Sequence, residues 1–519
     1  MAAFGLGGLS VGRQDGSPSK TRGCSRIGRG SRVVSAGRIA ACWLPVLWWS
    51  ALPCAAATTP VGDALSRARV GELTISWREH RIDDAEQGTP ISGSDGLVTA
   101  DLDGDGHEDV VSVHESDTSY DGQPDGHVRI AFGSASPHEW HNVTLAEGIL
   151  AAAPEDAAIG DVNGDGLPDV VVASELAHLS YFQNPGEDAR QGVWPHLILP
   201  GTQGRGSWLR VFFADFDGDG RLEISAANKG AQNPGEGDYA RKTPVSLFEV
   251  VGDPLSAAGW REVELGTFSI PQNARPVDLD ADGDLDIVAG SRGERRMIVF
   301  ENVTDGSGFQ FVEHLIGLTG GAEASAFNLD FADLNHDGRL DIVTAFGMAG
   351  SPPGLAWFEQ PPKRDGRWGA WRLHRIGTFA PDSMTGFALA DINGDGELDV
   401  MAGSYSLGPR SEDGDVTPAD SLGRLGWFEN PGYSASGKAD DLAEGWTRHD
   451  ISRRKRGMFD KLIPRDLDGD GDIDFLGTRG NSAPFDGVFW LEQVRTETPA
   501  PAFQGAWPND SEEMPLPAF

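Results

Sequence analysis

From residue 97 to residue 494 the chain repeats one alternation: a short apolar run, an acidic glycine-bearing turn, then a β-branched run ending in turn residues. The β-branched runs are DVVSV at 109–113, DVVVAS at 169–174, DIVAGS at 286–291, DIVTAF at 341–346 and DVMAGS at 399–404. Stretches of this length and composition read as buried strands. Runs such as LVTA at 97–100 and VFFA at 211–214 precede the turns. A third segment recurs as VRIAFGS at 128–134, LSYFQNP at 179–185, VSLFEVV at 245–251, MIVFENV at 297–303, LAWFEQP at 355–361, LGWFENP at 425–431 and VFWLEQV at 488–494. A fourth, of the type WREVEL at 260–265 and WRLHRI at 371–376, begins with an aromatic residue and alternates as an outer strand does.

The acidic turn is a nine-residue repeat with seven copies, starting at 101, 161, 215, 278, 333, 391 and 466. Positions 1, 3, 5 and 9 carry oxygen side chains. They are Asp101, Asp103, Asp105 and Asp109; Asp161, Asn163, Asp165 and Asp169; Asp215, Asp217, Asp219 and Glu223; and Asp278, Asp280, Asp282 and Asp286. The remaining copies supply Asp333, Asn335, Asp337 and Asp341; Asp391, Asn393, Asp395 and Asp399; and Asp466, Asp468, Asp470 and Asp474. With Gly at position 6 for a sharp turn and a backbone carbonyl at position 7, each copy offers the oxygen shell of a hard cation, and Ca2+ suits a flexible all-protein loop better than Mg2+. Up to seven structural Ca2+ ions are expected. An EF-hand needs flanking helices and Glu at position 12, whereas these flanks are strands. Glu223 at position 9 and His336 at position 4 mark the third and fifth loops as weaker.

Four strands per unit and seven units predict an all-β fold, a seven-bladed β-propeller of four-stranded blades. The strands are A before the loop, B after it, then C and D. After the seventh loop the chain supplies A, B and C only, and the missing D strand is WREHRI at 77–82. That N-terminal strand is expected to close the last blade. Residues 58–76 then form a linker, 77–494 the propeller and 495–519 a Pro-rich disordered tail.

In these loops and blades the chain resembles the FG-GAP, or VCBS, repeat family, the propeller type also found in integrin α-subunits. The resemblance implies that the loops lie on one face and ligands meet the other. Its WFEN-like C strands are similar to those in the propeller domain of fungal aldos-2-ulose dehydratase.

Composition sharpens the picture. The chain of 519 residues has 42 Lys+Arg against 79 Asp+Glu, a formal charge of −37. Such acidity opposes nucleic-acid binding, which depends on neutralising phosphates. Residues 1–57 run the other way, with seven basic residues and one acid, an apolar stretch at 39–53 and Ala55-Ala56-Ala57. This is the pattern of a secretory signal peptide, so a secreted or periplasmic protein is expected. A single membrane anchor and a lipoprotein attached at Cys54 are the alternatives. Cys24, Cys42 and Cys54 all lie in this leader, so its removal leaves no disulfide. It also leaves 35 basic and 78 acidic residues, of which 25 are carboxylates at loop-ligand positions. No later stretch is apolar enough to span a membrane.

On the face away from the loops, the residues just after the B strands are His114, Glu175, Lys229, Arg292, Tyr405 and Arg479. A base, a cation and a phenol around a mouth suit a carbohydrate or carboxylate site. His114, Glu175, Arg292, Tyr405 and Arg479 are the candidate catalytic residues of a carbohydrate-active lyase or dehydratase. The favoured reading is a monomeric module that binds a protein or glycan ligand there. His114, His127 and His178 with Glu175 and Asp117 offer a transition-metal alternative, and Arg453-Arg454-Lys455-Arg456 reads as a solvated loop or an anion contact. The recurring D-strand histidines, His80, His196, His314, His374 and His449, read as structural.

Overall fold

Each acidic turn joins two antiparallel strands whose β-branched residues are buried, so every repeat builds a sheet from its own consecutive segments. A computed structural model describes residues 59–517 except 88, 90, 117–121, 307, 349–350, 408–411 and 433–444. The expected leader at 1–57 lies outside the described residues. Six blades have the order A-B-C-D along the chain, from Ser94–Ala100, Asp109–His114, His127–Phe132 and His141–Glu147 in blade 1 to Ser383–Ala390, Asp399–Tyr405, Gly423–Glu429 and Thr447–Arg454 in blade 6. A strands of adjacent blades meet, as Ser94–Ala100 meets Pro154–Gly160 and the latter meets Trp208–Ala214. The seven sheets form the ring of a seven-bladed propeller.

Blade 7 takes A, B and C from Leu462–Arg465, Asp474–Arg479 and Gly487–Thr496, and its D strand from Leu73–Asp84. The closing strand is thus longer than 77–82, because Ile75 and Trp77 bury their side chains and the ladder with strand C runs from Thr74↔Thr496 to Asp84↔Gly487. Charge seals the ring on both sides of the chain's start. Arg129 of blade 1 donates to Asp83 at 2.7 and 3.1 Å, and Arg465 of blade 7 donates to Glu108 at 2.8 Å.

The outer halves of the blades share a cross-strand device. Trp357, Trp427 and Trp490 of strand C face His374, His449 and His80 of strand D in register. The ring pairs stack at centroid separations of 4.0, 4.4 and 4.4 Å. Two residues beyond each Trp, a Glu carboxylate reaches the same imidazole: Glu359 at 2.8 Å, Glu429 at 2.6 Å and Glu492 at 2.6 Å. Directly opposed pairs of this kind are the units of sheet stabilisation, which explains why WFE and WxxHxI recur together.

Two expectations are corrected by packing. Within the segment assigned as a linker, Val61 and Ala68 are buried. The segment expected to be a disordered tail packs on the propeller: Phe503–Gln504 pairs in parallel with Trp77 and Arg78, while Trp507 and Met514 are buried. Its acids meet the basic run, whose Arg453 and Arg454 end the blade 6 D strand and whose Lys455 and Arg456 follow it directly. Arg454 donates to Asp510 at 2.8 Å, Lys455 pairs with Glu512 at 2.8 Å, and Met514 N donates to Arg453 O at 2.6 Å. Arg479 of blade 7 also binds Asp510, at 2.7 Å. Although burial opposes its ionisation, Asp510 is held well below the usual carboxylate range by Arg479 and Arg454. Removing one partner of a buried pair leaves the other charge uncompensated, typically at about 3–5 kcal/mol. Asp510→Asn is therefore expected to destabilise the protein by about 3 kcal/mol in urea unfolding, and a change below about 0.5 kcal/mol would contradict the clasp.

Candidate functional site

The seven loops share one backbone conformation. Gly at position 6 has φ between 84° and 102° in every copy, a range closed to most side chains. Position 4 is also left-handed, with φ from 57° to 77°, and there Ala281 and His336 replace Gly. His336 accepts that strain while its Nε2 meets Glu397 of the next blade's loop at 2.9 Å. In six copies the position 1 carboxylate accepts the position 6 N–H, as Gly106 to Asp101 at 2.9 Å and Gly396 to Asp391 at 2.9 Å.

Position 9 behaves differently from the exposed positions. Its carboxylate is buried in all seven loops. One oxygen accepts the N–H of position 2, and in six loops the other accepts an N–H at the end of strand C. Asp286 accepts from Leu279 at 3.2 Å and from Asn302 at 2.8 Å, and Asp399 from Ile392 at 3.1 Å and Asn430 at 2.8 Å. The strand-end Asn or Gln then ties the blade to its predecessor. Asn184, Asn302, Gln360 and Gln493 donate to the position 2 carbonyls of the preceding loops, Leu102, Phe216, Leu279 and Ile392, at 2.7 to 3.2 Å. Asn302, which also heads an N-glycosylation sequence, is buried in this role. Burial pushes Asp286 up to about 7 and Asp341 and Asp399 up to about 8, with neighbouring loop carboxylates adding to the effect.

The donor set fits a hard cation. In four loops three carboxylates bring one oxygen each within 4.8 Å of the others: Asp101, Asp103 and Asp109; Asp215, Asp217 and Glu223; Asp278, Asp280 and Asp282; Asp466, Asp468 and Asp470. In the loops with Asn at position 3, its side-chain oxygen accepts the N–H of position 5, as Asn163 does from Asp165 at 3.0 Å. Basic side chains share some of these acids: Arg190 pairs with Asp103 and Asp105, and Lys363 with Asp280.

The opposite face is where strands A begin and strands B end. There His114 is sealed, its Nδ1 at 2.7 Å from Ser94 Oγ and its Nε2 at 3.0 Å from Ser112 Oγ. Burial holds its pKa well below the ordinary value, with Arg129 and His127 acting in the same direction, so the ring is neutral. Glu175 and Lys229 are brought together as a buried ion pair. Arg292 and Tyr405 are half-buried, and Tyr405 bridges to Met458 through the backbone. Arg479 is not at the mouth but beneath the C-terminal tail, with Asp510 and Ser482. Among the described residues no cluster of metal-type ligands includes a histidine, and Asp117 lies outside them.

Sequence reasoning missed a buried arginine at the mouth. Arg210, in strand A of blade 3, donates to Asp460 at 2.9 Å and to Asn328 at 3.1 Å and lies 3.8 Å from Glu155. These partners precede or begin the A strands of blades 7, 5 and 2, so Arg210 links the ring across its axis. The signal available was slight: an Arg between apolar residues in WLRVFF at 208–213.

The inter-blade tie carries a prediction. Asn302→Ala leaves the Phe216 carbonyl without its buried donor, a loss of about 1–3 kcal/mol. Chemical denaturation should show about 2 kcal/mol of destabilisation, in chelator as well as in calcium; no change in chelator would assign the residue to metal binding alone.

A family profile of FG-GAP-like repeats matches residues 161–225 and 278–344, which contain the loops starting at 161, 215, 278 and 333. A sequence search of curated proteins gives no match. Among solved structures, YCF48 from Cyanidioschyzon merolae is similar at 10% identity and a TM-score of 0.44, over 80% of this chain and 98% of that one. BBS1N, from a complex with ARL6DN soaked with mercury, is similar at 12% identity and a TM-score of 0.40, over 78% and 94%. Neither likeness carries an argument about function. The chain thus carries FG-GAP-like repeats within a ring of seven β-blades.

Proposed function

We propose that the protein is an exported propeller, stiffened by up to seven Ca2+ ions, that binds a protein or glycan through the face opposite the loops. The observation that carries this reading is the common geometry of the seven loops, in which position 9 is buried, in six of them braced to strand C, and positions 1 and 5 stay at least partly exposed. The residues that would hold the ions are those at positions 1, 3, 5 and 9 of each loop. A bound Ca2+ supplies charge neutralisation and a fixed oxygen shell. The braced loops hold the A–B hairpins in place, which leaves the other ends of the same hairpins to present a rigid mouth. Export rests on the basic, apolar and Ala-rich leader. Among the described residues no helix is long and apolar enough to cross a membrane.

Binding is favoured over elimination chemistry by the state of the candidate catalytic groups. His114 is enclosed between two serines, Glu175 is paired with Lys229, and Arg479 is paired with Asp510. A lyase base must reach a substrate proton at hydrogen-bond distance, and these groups are committed to internal partners.

Two measurements test the reading. An ion that binds only the folded state stabilises it by RT ln(1+[L]/Kd), about 1.4 kcal/mol per site at roughly ten times Kd. Chelation should therefore lower Tm by about 10 °C or more, with recovery on adding Ca2+; a melt unchanged by chelator would remove calcium from the account. Separately, a glycan array and a panel of acidic polysaccharides should show binding without new enone absorbance. Absorbance that grows with time and is lost in His114→Ala would replace the binding reading with the lyase.

A further inference from the structure

Three carboxylates that no loop contains meet at the mouth. Asp95 lies in the irregular stretch between Ser94 and Leu97 of the blade 1 A strand, and Glu155 in the equivalent stretch between Pro154 and Asp156 of blade 2. Glu115 follows strand B of blade 1 directly. One oxygen of each lies within 4.8 Å of the other two, and all three side chains are buried. Asp95 and Glu155 have no exposed surface, and none of their four carboxylate oxygens accepts a hydrogen bond. Glu115 meets Gln232 Nε2 at a long 3.5 Å.

The nearby cations give their hydrogen bonds to other groups, although Arg210 also stands at ion-pair distance from Glu155. Arg210 gives its hydrogen bonds to Asp460 and Asn328 and stands 3.8 Å from Glu155, and Lys229 is paired with Glu175. Buried carboxylates without hydrogen bonds are costly unless paired, protonated or coordinated. Opposite ligands of one Ca2+ are about 4.8 Å apart, so the three oxygens are no farther apart than members of a single shell.

We propose that Asp95, Glu115 and Glu155 form a divalent-cation site at the mouth of the propeller, separate from the seven loops. Its all-carboxylate donor set suits a hard cation, Ca2+ or Mn2+, and not a soft one. Three protein oxygens leave further positions of the six to eight that Ca2+ takes, open to water or to an acidic group of a ligand. The site stands whether or not the loops bind calcium.

Full-length protein stripped of metal is dialysed to equilibrium against Ca2+ and, separately, Mn2+, and bound metal is counted by mass spectrometry. Asp95→Asn and Glu155→Gln are each expected to bind one equivalent less than the wild type. Asp101→Asn, in an outer loop, serves as the control for loop binding: if the loops are empty it changes nothing, while the mouth variants still lose their equivalent. Melting gives an independent readout. In chelator Asp95→Asn should melt above the wild type, because a repelling buried carboxylate is gone, and its gain in Tm on adding Ca2+ should be smaller. Should Asp95→Asn fail to fold, Glu115→Gln takes its place. Equal metal counts with equal cation-induced shifts in wild type and mouth variants would overturn the site and leave the trio as carboxyl groups sharing protons.

Discussion

The structure depends on one buried carboxylate repeated seven times. At position 9 of each loop its oxygens accept the N–H that opens the loop and, in six blades, the N–H that ends strand C. Neither donor would be satisfied otherwise, because both strands turn away from their ladders at that point, and buried N–H groups need partners. The same bond places the Asn or Gln side chain that reaches into the preceding loop in four of the blades. A single acid therefore sets the loop, the sheet and the spacing between sheets. That explains a repeat in which position 7 varies freely while position 9 is always Asp or Glu.

Much of this was legible in the sequence because the units are consecutive. Strands A to D follow one another, so the order in the chain is the order in the sheet, and the periods of DGDG, WFE and WxxH give the blades directly. Even the long-range closure could be read, since blade 7 lacked one strand and 77–82 supplied its pattern. What stayed hidden involves partners far apart in sequence with no repeated signature. The tail at 495–519 reads as disordered from its prolines, but Asp510, Glu512 and Glu513 match a basic run more than 50 residues earlier. Neither segment declares its partner by spacing. Likewise Arg210 and Asp460 are 250 residues apart and meet only because a ring brings its axis-facing ends together.

The candidate mouth residues were assigned to the correct end of the hairpins but not to the correct depth. Position after strand B fixes which face a residue occupies; it does not say whether neighbouring blades cover it. His114 is covered by the serines of its own blade and Arg479 by the tail. The residues that reach the axis come instead from the irregular starts of the A strands. There the register slips at Ser94/Leu97, Pro154/Asp156, Trp208/Arg210 and Pro271/Asn273. A bulge leaves one residue unpaired and re-aims side chains, so period-two reading of the strand fails at the positions that face the axis.

The two faces place acid under opposite constraints. On the loop face, positions 3 and 5 keep their carboxylates near water, where repulsion is screened, and among the ligand carboxylates only those of position 9 are buried. At the mouth, Asp95, Glu115 and Glu155 are all buried; Arg210 stands 3.8 Å from Glu155 but hydrogen-bonds Asp460, and Lys229 pairs with Glu175. Screening does not reach the mouth, so its excess of acid acts on whatever enters with the full strength of a low-dielectric site. The strongly acidic composition therefore divides into a solvated share that frames the fold and a small enclosed share at the mouth.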